Sequence, residues 1–137
     1  MKVLNLLSLG ALLATAFAQG ADIGAPADGS TVRRGSKIIV EIDRPDTLTG
    51  STEIAIVIGF LFCGQSLTSQ CPPPSEILGT ILYNGNYTPE FHTGVMKPPH
   101  QNFTVKVPSS ASLGKAQLGV AHFSLVGVSF RSTQSFA

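Results

Sequence analysis

One segment near the carboxyl end, residues 115–127, constrains the fold of this chain more than any other stretch. It begins with a lysine and carries no charge after it. In an extended conformation Leu118, Val120 and His122 share one face, while Phe123 lies on the other. Strands with apolar groups on both faces are typical of the middle of a packed sheet, and a membrane span needs about 20 apolar residues. The segment therefore predicts a central strand with the rest of the domain built around it.

The first 18 residues have the pattern of a secretory signal peptide. Lys2 supplies the positive start, residues 3–13 supply a short apolar core, and an Ala-Phe-Ala sequence ends at Ala18. We expect cleavage between Ala18 and Gln19 and a secreted, extracellular product. A membrane anchor is the alternative, and the shortness of the apolar core argues against it.

Residues 19–137 then form a mature chain of the size of one domain. Of the nine basic side chains, Lys2 leaves with the leader, so eight basic and eight acidic side chains remain and the net charge is zero. The largest basic cluster is the Arg33-Arg34 pair. Nucleic acid and anionic membranes require a larger basic surface, so neither is a predicted partner.

The mature chain shows no sustained helical period and is rich in glycine, proline, serine and threonine. The pattern predicts an all-β, immunoglobulin-like two-sheet β-sandwich of about seven strands. After an extended leader at 19–24, the expected strands cover residues 37–43, 53–62, 77–83, 86–91, 103–107 and 115–127.

Three of these strands have detailed expectations. In residues 37–43, alternation points Val40 and Ile42 inward and Glu41 toward solvent. Residues 53–62 form the longest apolar run of the mature chain, and their β-branched content predicts a strand buried on both sides rather than a helix. The Asn84-Gly85 pair predicts a tight hairpin turn that returns into residues 86–91.

The chain contains two cysteines, Cys63 and Cys71. Because a secreted chain enters an oxidising compartment, we expect a disulfide between them. The alternative is a pair of free thiols in a redox site, although the spacing is neither that of a C-x-x-C motif nor that of a metal site.

Two sequons, Asn86-Tyr87-Thr88 and Asn102-Phe103-Thr104, are candidate N-glycan acceptors. We expect Asn102 to be the better acceptor, because Asn86 follows the predicted turn and proline follows its threonine. Either asparagine could equally remain an unmodified surface residue.

The histidines do not compose a metal site in the sequence. His92 and His100 share one loop and could approach each other, but no third ligand follows at a recognisable spacing. His122 is expected to be a hydrogen-bonded structural residue inside the sheet. We predict no metal and no cofactor.

Catalytic motifs are missing from the sequence as well. It has no Gly-x-Ser-x-Gly sequence, no glycine-rich phosphate loop and no carboxylate pair in an interpretable acid and base arrangement. We predict no catalytic residue and no enzymatic activity. Carbohydrate binding is the alternative: without tryptophan, Tyr83 and Tyr87 would have to form a small platform for sugar rings.

The mature chain resembles the fungal family of necrosis-inducing secreted proteins, which are effector-like. Residues 98–105 and 118–127 carry the resemblance most strongly, since their order and separation also match. The matching segments are residues 26–35, the isoleucine-rich run ending at Cys63, Cys71, and residues 79–85, 98–105 and 118–127.

This resemblance implies a small secreted protein that is not an enzyme and that has a disulfide between Cys63 and Cys71. It implies binding to a host protein, in particular plant immune receptor-like kinases, with suppression of immunity or induction of cell death as the result. The alternative function is an extracellular binding module for cell-wall carbohydrate. Residues 128–137 depart from the family pattern, so we expect the last strand to be short and irregular or else incomplete.

Overall fold

The computed structural model of the chain describes residues 20–45, 50–66, 68–126 and 132–136. The predicted leader and its cleavage point between Ala18 and Gln19 lie outside these residues. The described part contains seven strands and no helix, which confirms the all-β prediction. The strands are β1 Asp22–Ala25, β2 Lys37–Asp43, β3 Ser51–Gly64, β4 Thr80–Asn86, β5 His100–Lys106, β6 Lys115–Val126 and β7 Ser132–Phe136.

The strands form two antiparallel sheets, as predicted for a sandwich. One sheet has the order β1-β2-β5 and the other the order β4-β3-β6-β7. This order is immunoglobulin-like, but β4 pairs with β3 in the larger sheet, whereas the fourth strand of antibody constant domains joins the sheet of the first two. β6 lies between β3 and β7, so the predicted central strand is confirmed.

Alternating residues of both sheets meet in one core. β2 runs from Lys37 to Asp43 as predicted, because its period of two gives one continuous apolar face. The buried apolar core consists of Ala21, Val40, Ile42, Ile56, Ile58, Tyr87, Phe103, Val105 and Val120.

The outer face of the four-stranded sheet is partly covered by the chain that follows the disulfide loop, residues 72–78, which we call the cover. Leu78 lies on Gly59 of β3 and Gly119 of β6, where an added Cβ would meet Leu78 at 2.3 and 2.8 Å respectively. Gln117 fixes the cover by donating its Nε2 hydrogen to the carbonyl of Pro72 over 2.7 Å. These two glycines therefore let a second layer of chain approach the strands closely.

The prediction that residues 53–62 are buried on both sides is only partly correct. Ile56 and Ile58 are fully buried, but Ile54 is exposed at the bulge between Glu53 and Ala55. The cover reaches Gly59 and does not extend to that end of the strand. The outer face is therefore closed at one end of β3 and open at the other.

The predicted hairpin at Asn84-Gly85 is wrong. Both residues lie within β4, where they pair with Val57 and Ile56 of β3. Gly85 has no positive φ, and the Tyr83 ring lies over it, with the hydroxyl 2.9 Å from the place of a Cβ. Cross-strand pairing and this ring packing outweigh the local turn preference of the dipeptide.

The predicted returning strand at 86–91 is also wrong. After β4 the chain crosses to the other sheet and meets it in one isolated bridge, between Glu90 and His100. Tyr87 is fully buried on this crossing and donates its hydroxyl hydrogen to the carbonyl of Ile42 at 3.2 Å. The residues between 77 and 79, predicted as strand, belong to the cover and to a turn at Gly79, which has a φ of 79°.

The expected short last strand is present as β7. It pairs antiparallel with β6, so that Phe136 is opposite Ala121 and Ser132 is opposite Leu125. β1, in contrast, replaces part of the predicted extended leader and pairs with β2. Both strands lie at sheet edges.

Candidate functional site

A buried polar cluster lies where β3, β6 and β7 meet at the open end of the larger sheet. His122 contacts Glu53 through Nε2 and Ser135 through Nδ1, the latter at 3.2 Å. Ser51 donates its hydroxyl hydrogen to the second carboxylate oxygen of Glu53 at 2.6 Å. On the core side of the cluster, the rings of Tyr87 and His122 meet edge to face, with their centroids 5.4 Å apart.

The contact with Glu53 defines where one proton of the ring lies. A carboxylate only accepts hydrogen bonds, so His122 donates from Nε2 to Glu53. The other ring nitrogen, Nδ1, shares a hydrogen bond with the hydroxyl of Ser135. Both ring nitrogens are thereby hydrogen-bonded, as a buried polar group requires. The prediction that His122 is a hydrogen-bonded structural histidine agrees with this geometry.

Serine, histidine and glutamate are also residue types that serve as nucleophile, base and orienting acid in nucleophilic catalysis. His122 is 2% exposed, and the side chain of Glu53 is 6% exposed. A general base must come within hydrogen-bond reach of the proton it removes from a bound substrate or nucleophile. Enclosed between the sheets, the imidazole instead ties β7 to β6 and β3.

The pKa of Glu53 is lowered in the folded protein. Burial acts to raise it, but the hydrogen bonds from His122 and Ser51 and the charges of His122 and Arg44 together outweigh that effect. Glu53 therefore stays ionised inside the sandwich.

A second polar cluster lies on the outer face of the three-stranded sheet. Lys97 places its ammonium 3.0 and 3.1 Å from the two carboxylate oxygens of Glu41. Glu41 and Asp43 are neighbours on this face and share a hydrogen bond. Glu41 was predicted to face solvent, but it is buried, because the chain carrying Lys97 folds back over β2.

The two carboxyl groups titrate in opposite directions. The pKa of Asp43 is raised by burial, by its hydrogen bond to Glu41 and by the negative charge of Glu41. The pKa of Glu41 is lowered overall, since the contributions of Lys97, Asp43 and His100 outweigh its burial. As the pH falls, Asp43 is therefore the first of the two carboxyl groups to take up a proton. Gly24 lies beneath both carboxyl groups. A Cβ added to it would be 2.6 Å from an oxygen of Glu41 and 2.6 Å from an oxygen of Asp43.

His92 and His100 approach each other as predicted, with ring centroids 4.2 Å apart. Nδ1 of His100 forms a hydrogen bond with the carbonyl of Pro98 at 2.9 Å. Nε2 of His92 forms one with the carbonyl of His100 at 3.3 Å. Both rings border an open groove of about 340 Å³ beside β5. In the described part of the chain, no group of three or more histidine, cysteine or acidic residues is arranged to hold a metal ion.

The loop that contains His92 also presents three apolar side chains to solvent. Phe91, Val95 and Met96 are 70%, 47% and 105% exposed. We call these three residues the apolar tip. Sequence reasoning identified the loop but missed the tip. The available signal was three large apolar residues within a turn-rich segment.

The remaining predicted residues lie at the surface or in the core as follows. Asn86, at the end of β4, and Asn102, within β5, are both exposed and therefore accessible for modification. Tyr83 packs on Phe103 with ring centroids 4.5 Å apart, and Tyr87 is fully buried. The two tyrosines therefore do not form the stacking platform considered for carbohydrate.

Cys63 and Cys71 are joined in a disulfide at the end of β3. The expected pairing is therefore present, and the redox alternative of two free thiols does not apply, since the described residues include no free cysteine. The bridge closes the loop that leads into the cover.

A comparison with family models matches residues 16–136 to the Nis1 family. The chain belongs to the Nis1 family. The name is consistent with the resemblance to necrosis-inducing secreted proteins. No curated protein matches the chain.

The match of the Nis1 family extends over both sheets, the disulfide, both polar clusters and the apolar tip. These parts therefore all lie within the residues that match the family. The described residues of this Nis1 family member include no helix long and apolar enough to cross a membrane.

Proposed function

We propose that this chain is a secreted, non-enzymatic effector-like protein that binds a host protein. The host proteins proposed are plant immune receptor-like kinases, and the consequence of binding is suppression of immunity or induction of cell death. The observation that carries the proposal is the match of residues 16–136 to the Nis1 family.

The distribution of polar groups supports a binding role. Glu53, His122 and Glu41 are engaged in internal hydrogen bonds or ion pairs and are largely enclosed. The exposed surface instead offers apolar side chains, which are typical of protein interaction surfaces. The disulfide and the leader pattern support secretion.

Co-precipitation tests this function directly. The mature protein, residues 19–137, is produced by secretion, checked for a single species by size-exclusion chromatography and by intact mass, and mixed with purified kinase domains of plant immune receptors. We expect specific retention by at least one receptor domain and none by a kinase domain from outside the receptor class. Failure of a well-folded, monodisperse protein to bind any of the receptor domains would contradict the proposal.

The carbohydrate alternative is tested on the same preparation. Pull-down with insoluble chitin and with β-glucan separates it from protein binding. We expect no retention on either polymer, because Tyr87 is enclosed in the core and Tyr83 packs on Phe103. Retention on a polymer together with failure to bind the receptor domains would replace the proposed function by the cell-wall module.

A further inference from the structure

The apolar tip combines high exposure with a firmly held base. Its three side chains occur within six residues of chain and flank a turn in which Val95 donates its backbone hydrogen to the carbonyl of His92 at 3.3 Å. Gly94 adopts a φ of 79° within this turn. Single exposed apolar residues are common on protein surfaces, but three large ones within six residues concentrate exposed apolar area on one short loop.

The base of the loop is closed by backbone pairing. Glu90 and His100 exchange two backbone hydrogen bonds, of 3.1 and 3.0 Å, and so bring the two ends of the loop together. The imidazole of His92 contacts the ring of His100, with centroids 4.2 Å apart, and also the carbonyl of His100 at 3.3 Å. Arg44 adds a backbone hydrogen bond of 2.8 Å to the carbonyl of Pro99.

An ion pair holds the loop from its other side. Lys97 directly follows the tip in sequence, and its ammonium contacts both oxygens of Glu41, whose side chain is 10% exposed. Breaking this pair would leave a buried carboxylate without its partner, which costs more than breaking an ordinary surface salt bridge. The tip is thus held in place before any partner arrives, which reduces the entropy lost on binding.

Charge identifies the kind of partner. Residues 91–96 carry no lysine, arginine, aspartate or glutamate, and the ammonium of Lys97 is neutralised by Glu41. An anionic membrane surface attracts basic side chains, and none is free on the tip. A neutral, apolar and pre-ordered turn fits an apolar pocket of a folded protein, in which aromatic and methionine side chains are favoured contacts.

We propose that the apolar tip, Phe91, Val95 and Met96, is the element of this chain that inserts into an apolar pocket of the partner protein. The inference rests on the proposed function and assigns its binding surface. The Lys97–Glu41 ion pair acts as a positioning element, since it holds the tip without contacting the partner.

The test compares two sets of substitutions in the mature protein, with the receptor kinase domain that retains the wild type as the probe. The double variant Phe91→Ser, Met96→Ser removes most of the tip. Leu113→Ser is the matched control, because Leu113 is 71% exposed and lies in the loop after β5, whereas the tip precedes β5. We expect the double variant to weaken binding by roughly tenfold to a hundredfold and the control to leave it unchanged.

Lys97→Met tests the positioning role separately. It retains the three apolar side chains and removes the ion pair, so we expect binding to weaken by a few-fold. Amide hydrogen exchange of residues 91–96 should become faster in this variant, whereas loss of a purely structural contact elsewhere would not affect these amides selectively.

The possible outcomes separate the surface from the function. Equal binding by the wild type and the double variant would contradict the assignment of the apolar tip as the binding surface. The proposed function would be unaffected. Failure of the wild type to bind any receptor domain would contradict the proposed function and the receptor kinase as the partner of the apolar tip. Self-association of the wild type or flotation with anionic vesicles, if lost in the double variant, would overturn the assigned occupant in favour of a second copy or a membrane.

Discussion

The imidazole of His122 donates to the carboxylate of Glu53 across 69 residues of sequence, inside the sandwich. The same ring is hydrogen-bonded to Ser135, so one histidine connects β3, β6 and β7. This contact explains how the short strand β7 is held at the edge of the sheet.

Glu53→Gln should change the acid stability of the protein. The folded pKa of Glu53 is lowered below its usual value of 4.5, so its contribution is present above that pH and is lost as the pH falls through the folded pKa. We expect the wild type to lose stability in this acidic range more steeply than the variant. Near neutral pH the variant should lose about 1 kcal/mol, because a neutral amide replaces a charged acceptor.

Urea unfolding at about pH 7 and about pH 3 measures both effects. Glu76→Gln serves as the control, because Glu76 is exposed in the cover, and its unfolding free energy should equal that of the wild type. Parallel pH profiles of the wild type and Glu53→Gln would contradict the assignment.

Asp43→Asn should have the opposite pH dependence. The folded pKa of Asp43 is raised above 3.8, so the wild-type contribution is full below that pH and is lost as the pH rises through the folded pKa. Asparagine donates to Glu41 at every pH and removes the repulsion. We expect a gain of roughly 0.5–1 kcal/mol near neutral pH and no gain in acid, measured by thermal and urea unfolding. A loss at neutral pH would show that Asp43 makes a different contact.

The two glycines beneath Leu78 should differ in their tolerance to alanine. A Cβ on Gly59 meets the backbone carbonyl of Leu78 at 2.3 Å, whereas a Cβ on Gly119 meets the end of the Leu78 side chain at 2.8 Å. A side chain can rotate away more easily than backbone can shift. Gly59→Ala should therefore cost about 1–3 kcal/mol, and Gly119→Ala less than about 1 kcal/mol, by urea unfolding. The reverse order would show that the cover does not lie as described.

Removal of the disulfide should lower the unfolding free energy. In the chain-entropy model a loop of the size closed by Cys63 and Cys71 contributes about 2.6 kcal/mol. The double variant Cys63→Ser, Cys71→Ser should lose that amount and keep the circular dichroism spectrum of the wild type. An unchanged unfolding midpoint would mean that the loop is equally restricted without the bridge.

Intact mass of protein secreted from a glycosylating host tests the sequons. We expect a glycan on Asn102, since its side chain is exposed on the outer face of β5. Asn102→Gln should then remove the added mass, and Asn86→Gln should change it less. An unmodified wild-type protein would contradict this expectation.

Much of the fold could be predicted from local pattern. β2 has the predicted limits because its alternation is regular, and β6 is central because apolar residues occupy both of its faces. The hairpin at Asn84-Gly85 could not be rejected from sequence, since the pairing of β4 with β3 and the position of the Tyr83 ring are tertiary facts.

The candidate surface was harder to predict than the fold. Glu53 and His122 are far apart in sequence, and no motif spacing indicates their contact. Lys97 and Glu41 are separated by 56 residues, and their pairing buries a side chain that alternation places in solvent. Exposure of Phe91 and Met96 depends on how the loop is held, which composition does not encode.

The cover over Gly59 and Gly119 also determines how the protein should respond to a reducing environment. If a reductant opens the bridge between Cys63 and Cys71, Leu78 and Gln117 still hold the following chain to the sheet through contacts that contain no sulfur. The reduced protein should therefore be less stable yet retain the same outer surface. A protein built in this way can fold under oxidising conditions and still present the same outer surface after its bridge is reduced.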